Sequence, residues 1–488
     1  MKTSPESVGV FSATLEKLLH QLNANKIPMH SLLVAVGDNV ILDAYWSPFT
    51  ADTLHRMNSV TKSFVALAIG SLIYEGKISL ADKVISYFPE ADSFNTDPHQ
   101  AELTVENLLT MRTGYRTVGN GHWVRDKNYE RIKNYFERPP VARRNEEFFY
   151  DSAGSYILGV IVERLTGVSF IDYLKDKFLC KIGFSKNASC IKTPEGYSWS
   201  DSGLLCTPRD LYITAKFINN GGIWDGVRYI DENFIRSAVS NIVSTGEYGK
   251  NHKSYGYGYQ IWRAPHGGFM FLGMGMQVMM YIPDTDMYIV CTADTQPNPK
   301  LLECFFSLCN ELLIERGIDT TAKNDSVAYE SLLNYVQKLE LTAVDAGQIS
   351  NSAHRICSTL YITNENPMGI KSFSVNVKEK TGVLSYENEQ GKKEIVFGIG
   401  HNEYSLFPED GYFDMQIGVS PKGHRYPIAA SAGWQGESLI INIQFIGRHL
   451  GGVLITLTSM GEDVILSMKK STNCFLDRYD GTATGRKC

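Results

Sequence analysis

Cysteine pairs, runs of one charge and membrane-length apolar stretches are all missing from this chain of 488 residues. Its nine cysteines, at positions 180, 190, 206, 291, 304, 309, 357, 474 and 488, are odd in number and never spaced Cys-x-x-Cys. That pattern argues against a disulfide framework or a structural zinc site and fits reduced, mostly buried thiols. Lys and Arg number 47 against 53 Asp and Glu, a formal charge of −6, so no basic excess points to a nucleic-acid partner. The longest apolar run, residues 63–74, is shorter than the roughly 20 residues of a membrane span and is broken by Gly and Ser. No membrane partner is expected. The first twenty residues lack the apolar core and small-residue cleavage site of a secretory leader, which makes a cytoplasmic protein the expectation and leaves the sequons at Asn187 and Asn324 without a glycan. His-Glu-x-x-His and Gly-x-Ser-x-Gly are absent, the Gly-x-Gly pairs at 256–258 and 273–275 lack a third glycine, and the eleven histidines are dispersed. Neither a metal nor a nucleotide cofactor is expected.

What is present has an order. Two apolar runs at 31–46 flank Gly37-Asp38-Asn39, a hairpin signal, and a second strand–turn–strand pattern spans 276–292 around Pro283 to Asp286. Between them the chain has helical character at 59–74, 105–111, 156–165 and 207–219, and a further helix with an apolar stripe follows at 299–316. The implied fold class is α+β: an antiparallel sheet flanked by helices, with a largely helical insertion. Beyond residue 320 a polar helical stretch leads into short alternating runs at 370–377, 393–398, 413–419, 438–446 and 452–457, the signature of an all-β barrel or sandwich. The expected organisation is a first domain at 1–318, a helical linker at 319–345 and a C-terminal β domain at 346–488. No internal repeat or low-complexity segment interrupts it.

The chemistry concentrates in Met57-Asn58-Ser59-Val60-Thr61-Lys62-Ser63-Phe64. Three residues apart on a helix, Ser59 and Lys62 share a face and can meet. A serine hydroxyl is a poor nucleophile until a neighbour takes its proton, and a lysine desolvated by Phe64, Val65 and Ala66 can be neutral enough to do so. Alone the pair is weak, since Ser467-Met468-Lys469-Lys470 repeats the spacing in the β region, where it is accidental. Its context is stronger: Glu75-Gly76-Lys77-Ile78-Ser79-Leu80-Ala81-Asp82 after the serine helix, then Leu103 to Gly114, Phe149-Tyr150-Asp151-Ser152 opening a helix, Gly258-Tyr259-Gln260-Ile261-Trp262, and Leu272-Gly273-Met274-Gly275-Met276-Gln277 before the last hairpin. This succession, over about residues 10–316, resembles the serine β-lactamase and penicillin-binding-protein-like superfamily, in its esterase and amidase branch.

The resemblance implies that Ser59 is the acyl-accepting nucleophile, Lys62 its proton acceptor and Tyr150 the group that shuttles a proton between serine and leaving group. Ser152 stands where the usual Tyr-x-Asn motif has asparagine, with shorter reach and fewer hydrogen-bonding groups, in a supporting role. The third motif, Lys-Thr-Gly or His-Thr-Gly, has no literal match. His266-Gly267-Gly268 competes with Gly273-Met274-Gly275-Met276-Gln277, which is similar to the Gly-x-Gly-x-Gln turn of the branch that includes hydrolases of 6-aminohexanoate oligomers. The second is preferred, with the Met274 and Ser59 N–H groups as oxyanion hole between Gly273 and Gly275, and His266 as a loop residue. That replacement supplies no cation for a substrate carboxylate, so small esters or amides are favoured over β-lactams. Tyr115, Trp123, Tyr257, Tyr259 and Trp262 either line an acyl pocket or belong to the core. The expected activity is that of a serine hydrolase on a small-molecule ester or amide, working without cofactor. Two alternatives stay open: a catalytically weak binding or scaffold protein that keeps the fold, and a true β-lactamase or D-amino-acid peptidase. Whether the chain forms a homo-oligomer is left open too.

Overall fold

Both hairpins form where the turn residues place them. In the computed structural model, which describes residues 3–115, 128–250, 256–349, 353–357, 359–410, 416–417, 419, 421–447, 450–471 and 476–488, strands Met29–Val36 and Asn39–Tyr45 pair antiparallel. Gly37 turns between them at φ 55°, a left-handed conformation that glycine enters at no steric cost. Gln277–Ile282 pairs with Met287–Ala293 in the same way. Met29–Val36 then pairs with Met287–Ala293, joining the two hairpins at the centre of a six-stranded sheet completed by Phe269–Gly273 and Trp262–Arg263 at one side.

Successive strand residues point to opposite faces, and this sheet is covered on both. Leu33, Ala35, Phe271, Met279 and Val290 face one core, together with the helices Thr61–Tyr74 and Ser152–Thr166. Leu32, Val34, Val278, Met280 and Ile289 face the other, with Ser12–Ala24, Lys300–Cys309 and Ser326–Val336. The strands therefore read as nearly unbroken apolar runs rather than alternating ones. The helix anticipated at 299–316 is an α-helix over Lys300–Cys309 continued by a π turn at Asn310–Ile314.

The chain divides into two units. The first comprises Met1–Glu340 together with Met415–Gly418, the second Leu341–Asp414 and Val419–Cys488. The expected linker helix is thus part of the first unit: Ser326–Val336 lies on Ser12–Ala24, where Asn23 donates to the Tyr335 hydroxyl at 2.9 Å and Leu332 is fully buried. In the second unit ten strands form one sheet, and a short parallel pairing of Gly398 and Ile399 with Ser431 and Ala432 closes it into a barrel. Strands such as Thr381–Asn388 alternate buried and half-buried residues, as a barrel wall requires. Of the strand expected at 413–419, only Gln416, Ile417 and Val419 lie within the described residues; Gln416 makes an isolated parallel bridge to Lys192, within the first unit.

Candidate active site

Ser59 sits in a 3-10 turn, Asn58–Val60, that runs directly into the α-helix Thr61–Tyr74. Every residue from Thr61 through Leu72 is buried, so the helix is apolar on all sides and Lys62 is carried into the interior by its neighbours rather than left on a polar face. The turn is pinned from several directions. Asn58 is left-handed at φ 47°, a conformation asparagine tolerates better than most residues, and its Nδ2 donates to the Met274 carbonyl at 2.8 Å. Met57 N–H donates to the Leu204 carbonyl at 2.8 Å, and Thr61 Oγ1 donates to the Asn58 carbonyl at 2.6 Å.

Lys62 Nζ donates to Ser59 Oγ at 2.9 Å and to the Asp201 carbonyl at 2.8 Å. Burial pushes its pKa down from 10.5 to about 8 against the opposing fields of Asp201 and Asp151. A group so placed has an appreciable neutral fraction near neutral pH. The Tyr150 hydroxyl hydrogen-bonds the Ser59 side chain, and burial, its largest influence, raises the phenol's pKa further above the usual value. The Lys62 ammonium lies 5.0 Å from the centroid of the Tyr150 ring. Two side chains, Lys62 from the helix that follows and Tyr150 from a distant segment, therefore converge on the Ser59 hydroxyl.

The motif segments around this centre are tied together by Gln260. Its Nε2 donates to the Leu108 carbonyl at 2.7 Å, its Oε1 accepts from Ser155 Oγ at 2.7 Å, and its backbone carbonyl accepts from Ser63 Oγ at 2.8 Å. One residue thus joins the serine helix, the helix Val105–Leu109 and the helix Ser152–Thr166. Asp151, next to Tyr150, is fully buried and bonded by both Arg138 terminal nitrogens at 3.0 and 2.6 Å. Arg138 in turn lies 4.3 Å from the ring centroids of both Tyr115 and Tyr135. Ser152 is buried as the first residue of the helix Ser152–Thr166.

The strand ending at Gly273 lies directly against the serine turn. A Cβ on Gly273 would stand 2.3 Å from the Met57 carbonyl oxygen and 3.3 Å from the Ser59 nitrogen, so only glycine lets this strand lie against the serine turn. Gln277 braces the following turn by donating through Nε2 to the carbonyls of Ala293 at 2.6 Å and Gly275 at 3.2 Å, and Gly275 is left-handed at φ 79°. His266 is elsewhere: it occupies an exposed turn with its Nε2 3.2 Å from Asn310 Oδ1.

The five aromatic candidates separate. Trp262 stacks on Tyr150 with centroids 5.7 Å apart, and Tyr257 meets Trp262 edge-on at 4.8 Å. Tyr115 belongs to the Arg138 support, Tyr259 packs on Phe234 in the core, and Trp123 lies outside the described residues. Sequence reasoning missed Tyr248, which stacks on Tyr150 at 5.5 Å, and Phe148, which packs against Tyr257 and Trp262. It also missed Asn58, Asp201 and the Arg138–Asp151 pair. Asn58 adjoins the nucleophile and could have been weighed; the others carry no local pattern. Among the described residues no helix is long and apolar enough to cross a membrane, and no group of three or more His, Cys, Asp or Glu could hold a metal ion.

The chain is similar to several known proteins. The chain is 27% identical over 226 residues to the 6-aminohexanoate-dimer hydrolase of Paenarthrobacter ureafaciens, a match covering 43% of this chain and 57% of that protein. It is 27% identical over 174 residues to protein flp of Staphylococcus aureus strain MW2, covering 33% of this chain and 34% of flp. The chain thus spans little more than half of the first relative and a third of the second. A solved structure of the D-amino acid amidase from Ochrobactrum anthropi SV3, complexed with L-phenylalanine amide, superposes with a TM-score of 0.50 at 18% identity, over 62% of this chain and 98% of that one, which establishes a shared fold. The Beta-lactamase family model matches residues 15–303, the span that holds the sheet, the serine helix and every residue of the site just described, and the chain belongs to that family.

Proposed function

We propose that this protein is a serine hydrolase that cleaves small amide or ester bonds through an acyl-enzyme on Ser59. The observation that carries the reading is the 2.9 Å hydrogen bond between Ser59 Oγ and a buried lysine whose pKa is lowered to about 8. In the acylation step the Ser59 oxygen bonds to the substrate carbonyl carbon and its proton passes to neutral Lys62. The Ser59 and Met274 backbone N–H groups hold the resulting oxyanion. Tyr150, bonded to Ser59 and beside Lys62, relays that proton to the leaving nitrogen or oxygen as its bond to carbon breaks. Water then attacks the ester, giving its proton back along the same path, and releases the acid with Ser59 restored. Ser152 supports the lysine–tyrosine pair from the head of its helix.

Amides are the favoured substrates. The aminohexanoate relative is named for an amide hydrolysis, and the turn Gly273–Gln277 contributes no cation for the carboxylate of a β-lactam. Trp262 and Tyr248 beside Tyr150 supply flat apolar surface for a substituent near the scissile bond. The eight described cysteines are all unpaired, which supports a reducing compartment. Intact-mass spectrometry after exposure to a fluorophosphonate probe tests the central claim: one adduct is expected on the wild type and none on Ser59→Ala. An unlabelled wild type, or equal labelling of the variant, would refute it and turn attention to a binding role.

A further inference from the structure

The second hydrogen bond of Lys62 goes to a backbone carbonyl, and what holds that carbonyl in place lies far away in sequence. Asp201 sits in a tight turn in which Ser202 and Gly203 N–H both donate to the Trp199 carbonyl, at 3.0 and 2.6 Å. Arg56 clamps the turn: its Nε and Nη2 donate to Ser202 O and Oγ, both at 3.1 Å, and its guanidinium lies 4.1 Å from the Trp199 ring centroid. Trp199 is fully buried in a small apolar cluster of four, with Ile191, Leu205 and Ile417. Ile417, also fully buried, belongs to the short segment Met415–Gly418 of the first unit, and its N–H donates to the Lys192 carbonyl at 3.0 Å. That cluster is separate from the two large cores of the unit. Leu205 is held by pairing with Ser189 and Arg56, and Ile191 by the Gly203 and Trp199 backbones, whereas Ile417 arrives from more than two hundred residues away in the chain.

We propose that Ile417 is a positioning residue for Lys62: packed on Trp199, it fixes the turn that presents the Asp201 carbonyl and keeps water from the ammonium beside Ser59. This rests on the serine-hydrolase reading above and deepens it. The titratable and charged groups facing Lys62 are Asp201 from the turn, Asp151 with its partner Arg138, and the Tyr150 phenol; Arg56 reaches the same turn through Ser202. Truncating Ile417 removes none of these groups. What changes is the rigidity of the turn and the dryness of the lysine, and water reaching a buried ammonium favours its charged form.

The test is the pH dependence of fluorophosphonate labelling of the full chain. Wild-type labelling should rise to a plateau with a midpoint near pH 8. In Ile417→Ala the midpoint should move up by about one pH unit, so that labelling at pH 7 falls about tenfold while the rate at pH 10 stays within about twofold. Ile417→Leu, which keeps the volume, should restore the wild-type midpoint. A merely structural role would lower the fraction of protein that can be labelled equally at every pH and leave the midpoint unmoved. Should Ile417→Ala not fold, Ile417→Val carries the test through a smaller upward shift. A folded truncation variant with the wild-type midpoint overturns this inference alone, whereas a wild type that is never labelled overturns the reading beneath it.

Discussion

Replacing Lys62 by methionine should abolish acylation and yet make the protein more stable at neutral pH. The ammonium is 1% exposed and its pKa falls from 10.5 to about 8 on folding, chiefly through burial. Between those two values the unfolded chain binds a proton that the folded one does not, so stability rises with pH across this window. At about 1.4 kcal/mol per pH unit the shift makes charged Lys62 cost the folded state about 3 kcal/mol at pH 7, and nearly all of that disappears by pH 10.5. Methionine matches the length of the lysine stem without charge. It leaves Ser59 Oγ and the Asp201 carbonyl without their donor, a loss of about 1 kcal/mol for each. The balance is a gain of about 1 kcal/mol at pH 7 that becomes a loss of roughly 1.5–2 kcal/mol at pH 10.5. Urea unfolding of both proteins at pH 7 and pH 10.5, with circular dichroism as the readout, measures the difference directly. A stability difference that does not change between the two pH values would show that Lys62 is not held in a desolvated, depressed state, and with it the account of its neutral fraction would go.

Gly273→Ala should remove acylation by pushing the strand off the Met57 carbonyl; a fall in fluorophosphonate labelling of at least about a hundredfold is expected, at a loss of roughly 1–3 kcal/mol in urea unfolding, and an alanine variant that labels normally would remove this strand from the site. Arg138→Met should destabilise by about 3–5 kcal/mol, because it strands the buried Asp151 carboxylate. Arg138→Met combined with Asp151→Leu should recover most of that loss, and thermal unfolding of the single and double variants decides whether the pair acts as a unit.

The elements legible in the sequence are those whose signals are local. The hairpins announced themselves through Gly37-Asp38 and Pro283 to Asp286 between apolar runs, and the serine helix through its unbroken apolar residues after Ser59. Barrel and sandwich could not be told apart, because closure depends on a two-residue parallel pairing between strands whose own alternation is the same in either arrangement. Within the site, Ser59, Lys62 and Tyr150 were readable because motif and spacing bring them together. Asp201 was not, since what Lys62 uses there is a backbone carbonyl, which any residue could provide. Tyr248 and Phe148 join the aromatic wall by packing across more than ninety residues of chain, and ring stacking at that range leaves no periodicity behind. That Gly273 lies against the serine turn while His266 does not depends on the room available for a single carbon atom, a quantity that composition does not encode.

The central pairing of the first sheet has a consequence for synthesis. Ser31 Oγ and Thr292 Oγ1 lie 2.6 Å apart although 261 residues separate them along the chain. A ribosome making this protein therefore exposes the hairpin at residues 29–45 and the whole serine helix long before the strand that covers them exists. Chains dominated by such distant contacts close late and expose apolar surface while they wait. Released fragments that stop short of residue 293 should accumulate as chaperone clients or inclusion bodies, and a pulse-labelled nascent chain should gain protease resistance in one step as the last strand emerges.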